Sequence, residues 1–278
     1  MMKKIFPIFV HLFSFSILLS SDNHPKKRFF DRERHAAKIM GREDRKYGDH
    51  SGNRVLCRFY NHGSIGDQSS SFSGVYPIGS GHSYIWEFSP IIAASVVDTN
   101  GFRKHIVSDG ISGLLDASPE GTPWSFEPLE GYANPNQDNL AMSDDAGSWP
   151  NSWPNRTEDW NGEWNGQYGK YVRADQESYF VVDDYYNSEF EFWPDDDDKP
   201  ESIIESPDDH RRGLGIEMEA RGYQWNHPAA EDIIIVTYWI TNVGSSVLDS
   251  VVFGMYGCLL YTSPSPRDQR GSRMPSSA

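Results

Sequence analysis

From Gly48 onward the chain is written in short apolar and aromatic runs, each cut off by Gly, Pro, Asn or Asp. Runs of this kind, bounded by turn formers, are strand material. Candidate strands lie at 55–60, 84–88, 91–99, 102–108, 177–183, 213–225, 233–241 and 250–256. The stretch 214–225 alternates only loosely. Residues 233–240 are apolar on both faces, which predicts an inner strand. Asn242-Val243-Gly244-Ser245 then turns the chain into 247–256, because Gly and Asn take turn conformations that other residues resist. The pattern predicts a mainly β fold, β-sandwich-like.

Residues 112–170 break the pattern. They are rich in Trp, Pro, Asn and Gly and poor in aliphatic runs. Ser148-Trp149-Pro150-Asn151 is followed at once by Ser152-Trp153-Pro154-Asn155, and Trp160-Asn161-Gly162 is echoed by Trp164-Asn165-Gly166. These echoes are too short for a solenoid. They predict a long ordered loop pinned to the sandwich by its rings, since loops of this length are functional or disordered and the aromatic content argues for order. Trp149, Trp153, Trp160, Trp164 and Tyr168 have two readings. They staple the loop to the core, the favoured one, or they form a platform for sugar rings, where flat faces beside amides and carboxylates suit amphipathic ligands.

The formal net charge is −15, and it is unevenly spread. Residues 1–46 carry 11 Lys/Arg against 5 Asp/Glu, whereas 47–257 carry 11 against 34. So acidic a body repels phosphate, which excludes nucleic acid as a partner. It is compatible with divalent cations. Asp183-Asp184 and Asp195-Asp196-Asp197-Asp198 stand in loop-like sequence. Calcium takes six to eight oxygen ligands, so such loops are candidate cages. No EF-hand spacing is present, and a solvated acidic loop is the favoured reading. Asp138, Glu158, Asp159, Asp175 and Glu177 lie near the aromatic region, as a glycosidase pair would. With 40 acids in the chain this proximity has little specificity. No His-Glu-x-x-His, Gly-x-Ser-x-Gly, Gly-rich phosphate loop or Cys-x-x-Cys occurs. His227 stands alone and reads as structural. Cys57, within a predicted strand, reads as a small buried hydrophobe.

The N-terminus has the form of a secretory signal peptide over 1–21. Lys3 and Lys4 precede an apolar run from Ile5 to Leu19, and Ser20-Ser21 offers a small-residue exit. The run is too short and interrupted for a transmembrane helix, so no stable span is expected after cleavage. Residues 22–47 form a basic leader in which Phe29, Ala36 and Met40 share one helical face. Export with so few cysteines fits a bacterial exported protein rather than a disulfide scaffold. The far end differs again. Cys258-Leu259-Leu260-Tyr261-Thr262-Ser263-Pro264-Ser265-Pro266-Arg267-Asp268 and Ser272-Arg273-Met274-Pro275-Ser276-Ser277-Ala278 back-translate, in frame and in order, to sequences resembling sequencing adapter. The expectation is an acidic β-rich domain over 48–257 that is truncated, with 258–278 adapter-derived and unpacked, and with 251–256 left as an edge strand.

Ala133-Asn134-Pro135-Asn136-Gln137-Asp138, Ser148-Trp149-Pro150-Asn151-Ser152-Trp153-Pro154, Ala174-Asp175-Gln176-Glu177-Ser178-Tyr179-Phe180 and Val252-Phe253-Gly254-Met255-Tyr256 carry a resemblance. The chain resembles the N-terminal region of large exported proteins of Gram-negative bacteria that commonly end in a type IX secretion sorting domain. The resemblance covers most of residues 50–257. It implies export to the cell surface or medium, and it transfers no functional residue. The expected function is a structural or adhesive module contacting glycans or other surface proteins. The alternative is the non-catalytic front of a secreted polysaccharide- or protein-degrading enzyme.

Overall fold

A computed structural model describes residues 44–66, 71–98, 100–111, 117–119, 124–195 and 211–260. The predicted signal peptide, the leader up to residue 43, Asp196, Asp197, Asp198 and residues 261–278 lie outside the described residues. The chain is mainly β and antiparallel, as its run-and-turn pattern predicts.

Ten strands form in chain order: β1 Tyr47–His50, β2 Cys57–Tyr60, β3 Ile85–Val97, β4 Arg103–Asp109, β5 Glu127–Pro128, β6 Ala141–Met142, β7 Gln176–Asp183, β8 Ile216–Gln224, β9 Ile235–Asn242 and β10 Asp249–Leu259. One sheet runs β10-β3-β4 and another runs β5-β7-β8-β9, with β6 also on β7; β1 and β2 form a short pair beside them. The sheets enclose one core. Ile92, Ala94, Val96 and Ile106 from the first meet Phe180, Val182, Ile216, Met218 and Ala220 from the second, with Cys57 and Phe59 between. The arrangement is β-sandwich-like, with open edges.

Two predicted strands, 84–88 and 91–99, are one. Pro90 stands in the middle of β3, yet the strand continues. Its carbonyl accepts from Gly110, just beyond the end of β4. Carbonyl and nitrogen of one strand residue point the same way, so the missing N–H faces Gly110 past the end of β4 and costs the ladder to β10 nothing. The buried side chains change parity there, from Ile85, Glu87 and Ser89 to Ile92, Ala94 and Val96. The prediction that 233–240 is an inner strand is corrected: β9 ends its sheet among the described residues. Ile234, Val236 and Tyr238 share the face turned to the sandwich core, where Tyr238 meets Phe253 of β10 with ring centroids 5.4 Å apart, while Ile235 and Trp239 lie on the other face, opposite Tyr223 and Glu219 of β8.

β10 is the edge of its own sheet, as expected for 251–256. It nevertheless runs on past Gly257, with Cys258 opposite Glu87 and Leu259 opposite Ile85, so the expected unpacked segment does not start at 258. The ladder uses backbone groups, which any extendable sequence can supply. The basic leader also ends earlier than expected. Arg45 is bonded to Glu127 at 2.6 Å and to Ser125, and the backbone of Lys46 donates to Asn61, so the domain begins before residue 47.

Candidate functional site

β7 is buried along its whole length. Phe180 and Val182 point into the sandwich core, while Tyr179 and Val181 point the other way into a second apolar cluster with Tyr132, Trp153 and Trp164. With a two-residue period, only a third layer over the sheet buries both faces. Residues 129–175 supply that layer, and its polar groups answer those of β8. Arg221 lies 3.7 Å over the Tyr179 ring and donates to the carbonyl of Asn165; Tyr179 donates to Glu219; Tyr223 donates to Gln167.

The five predicted ring positions do not form one exposed platform. Trp153 and Trp164 are each 2 % exposed and pack edge to face at 6.0 Å. Their indole N–H groups are satisfied by the Glu163 carbonyl at 2.9 Å and by Glu177 at 2.8 Å, as buried tryptophans require. Trp149 donates to the Met142 carbonyl and lies 5.5 Å from Trp164, half-buried. These three staple the layer. Trp160 is half-buried against the edge of this cluster, and Tyr168 faces outward. The matching repeats thus have unlike fates: Asn165 is buried between Arg156 and Asn155, while Asn161 is exposed in a turn whose Gly162 has φ +76°.

Around Tyr168 the structure adds residues that sequence reasoning missed. Tyr168 is 66 % exposed and Tyr171 50 %. The Arg173 guanidinium lies 4.7 Å from the first ring and 5.1 Å from the second, and it donates to the Tyr171 hydroxyl at 2.6 Å. Trp225, at the end of β8, donates to the Arg173 carbonyl and stacks on Tyr223 at 5.7 Å and 13°. At the other end Trp160 lies between Arg156 at 4.1 Å and Lys170 at 5.5 Å, and Lys170 pairs with Asp159 at 2.8 Å. The run Gly166-Gln167-Tyr168-Gly169-Lys170-Tyr171-Val172-Arg173 did signal this, since small residues alternate there with rings and cations.

The candidate acids are placed differently. Asp183 and Asp184 are buried. Asp183 holds Arg211 in a two-point pair at 2.9 and 2.8 Å. Asp184 accepts from Ser108 and from the backbone of Leu214 and Ile216. Burial, then the charge of Asp183, pushes Asp184 up to about 6. With their oxygens engaged by protein donors, this pair is neither a solvated loop nor an open cage. Asp195 is described and accepts from Ser245. No group of three or more His, Cys, Asp or Glu suited to a metal ion occurs among the described residues. Glu177 is buried, bonded to Trp164 and to the backbone of Arg173 and Ala174. Glu158, Asp159, Asp175 and Asp138 are exposed. His227 accepts from the Ala229 backbone within its own turn, and Cys57 is buried and in no disulfide.

One pair has the look of chemistry. His50 Nε2 and Ser178 Oγ are 2.8 Å apart, and Gly222 N donates to the same hydroxyl. All three are sealed in the core, and burial pushes the imidazole down to about 3. No substrate reaches them, so the pair is a packing element. Gly222 leaves the room it occupies: a Cβ there would lie 2.6 Å from His50 Nε2.

No known family model matches the chain, and neither a curated protein nor a solved structure matches it.

Proposed function

We propose that this chain is a module of an exported Gram-negative bacterial protein, acting at the cell surface or in the medium as an adhesive or structural element. The observation that carries the reading is the third layer. A sandwich holds a long loop in place from beneath, through Trp153, Trp164 and Glu177, and leaves Tyr168 and Tyr171 turned outward beside half-buried Trp160. Contact residues are commonly carried on loops positioned by a rigid scaffold. The acidic body and the apolar N-terminal run support an exterior setting, and no helix among the described residues is long and apolar enough to cross a membrane. Calcium, on this reading, would act at the acidic run Asp195-Asp196-Asp197-Asp198, because Asp183 and Asp184 are engaged within the fold.

The test is fractionation of a Gram-negative host with type IX secretion that expresses the full chain fused to the sorting domain. The reading expects the mature protein at the surface or in the medium, shortened near residue 21. Full-length protein retained in the cytoplasm would sink it.

A further inference from the structure

Resting on the adhesive reading above, we propose that Tyr168, Tyr171 and Trp225, extended by Trp160, form a binding surface for an uncharged polysaccharide. Tyr168 and Tyr171 are exposed, Trp225 and Trp160 are half-buried, and the rings are pre-set. Arg173 sits against both tyrosines and fixes Tyr171 through its hydroxyl, while Trp225 is held by a bond to the Arg173 backbone and by Tyr223 behind it. Rings already held in place lose little freedom when a ligand docks, which favours affinity from modest contact area.

The chemistry of the surroundings selects the ligand. The apolar faces of sugar rings stack on aromatic rings, and their hydroxyls bond to nearby amides and carboxylates. Here the flanking side chains are Asn161, Gln167, Asp175 and Asn226. Of the cations in the row, Lys170 is paired with Asp159, while Arg173 lies against the two tyrosines and keeps its charge. Exposed Glu158, Asp159, Glu163 and Asp175 set the local sign. An acidic polymer or a nucleic acid would meet these four carboxylates against three cations, Arg156, Lys170 and Arg173, a net repulsion. A neutral glycan meets rings and hydrogen-bonding groups alone.

Native affinity electrophoresis of the full chain tests this, with gels containing hydroxyethyl cellulose, a β-1,3-glucan, a mannan, alginate or polygalacturonate. We expect retardation by at least one neutral polymer and none by the acidic ones. The double substitution Tyr168→Ala/Tyr171→Ala should weaken binding at least tenfold, and Trp225→Ala should weaken it as well. Tyr168→Phe/Tyr171→Phe should stay within about threefold, because the faces rather than the hydroxyls bind. An unchanged urea midpoint keeps each variant interpretable, since no altered side chain is fully buried. Absence of retardation by every neutral polymer, preference for an acidic one, or full binding by the double alanine variant would overturn the proposal. Export fractionation does not depend on any of these gels, so failure here is distinguishable from failure of the adhesive reading.

Discussion

At the scale of single residues, two buried groups with opposed shifts, His50 and Asp184, contribute to the acid response. The unfolded His50 imidazole titrates near 6.5, and the folded one near 3. Between those values the unfolded chain binds the extra proton, so the His50 contribution falls as pH falls through that window. Asp184 has the opposite sign. Its folded value, about 6, lies above its unfolded value of 3.8, so the folded state takes the proton first and its contribution improves as pH falls through 6 to 4. The two oppose each other over that shared range, and below it only His50 continues to destabilise. Replacing His50 by Gln removes one side of the balance. Its cost, measured by urea denaturation at pH 7, should shrink as pH is lowered to 4, by at most about 3 kcal/mol at roughly 1.4 kcal/mol per pH unit. A cost that is constant from pH 7 to 4 would mean that His50 is not held neutral by the fold.

Among elements, β10 carries the clearest liability. It is an 11-residue edge strand with Val251 and Val252 exposed, and no charge after Asp249. Edges usually carry Lys, Pro or a bulge that blocks pairing with another chain. β10 does have register irregularities near each end, but its middle is continuous from Val252 to Cys258. Val252 is 60 % exposed, so Val252→Lys should leave the thermal midpoint within about 2 °C, as surface substitutions generally do. It should slow aggregation in concentrated solution, read by light scattering. Unchanged aggregation would place the sticky surface elsewhere.

For the molecule as a whole, the question is whether the loop layer is an accessory or a part of the cooperative unit. β7 answers it, because alternate residues of one strand belong to the two clusters. Removing Trp164 takes out a ring 2 % exposed and leaves buried Glu177 short of a donor. Trp164→Ala should therefore cost about 3–5 kcal/mol, in the range for deleting a buried tryptophan. Far-ultraviolet circular dichroism and near-ultraviolet aromatic signals should still lose structure in one coincident transition. Two separated transitions, the aromatic one first, would show that the layer melts independently of the sandwich.

The sequence by itself determined what depends on local periodicity and on charge count. Short runs between turn formers define β2, β4, β7, β8, β9 and β10 to within a few residues. The Trp-rich stretch is legible as ordered, and Cys57 as buried. The very short β1, β5 and β6 were not legible, because two to four residues are too few to show a period. Only the tertiary structure decided which ring of each repeat is covered. Trp160 and Trp164 share the same following residues, yet Trp164 is sealed in the cluster and bonded to Glu177 while Trp160 stays half-buried at its edge. Likewise Asp183-Asp184 reads as a solvated acidic step until Arg211, 28 positions away, is brought against it. A side chain's environment is set by whichever layer folds over it. That layer comes from distant sequence, so burial, ion pairing and the exposed binding row emerge only when the third layer closes on β7 and β8.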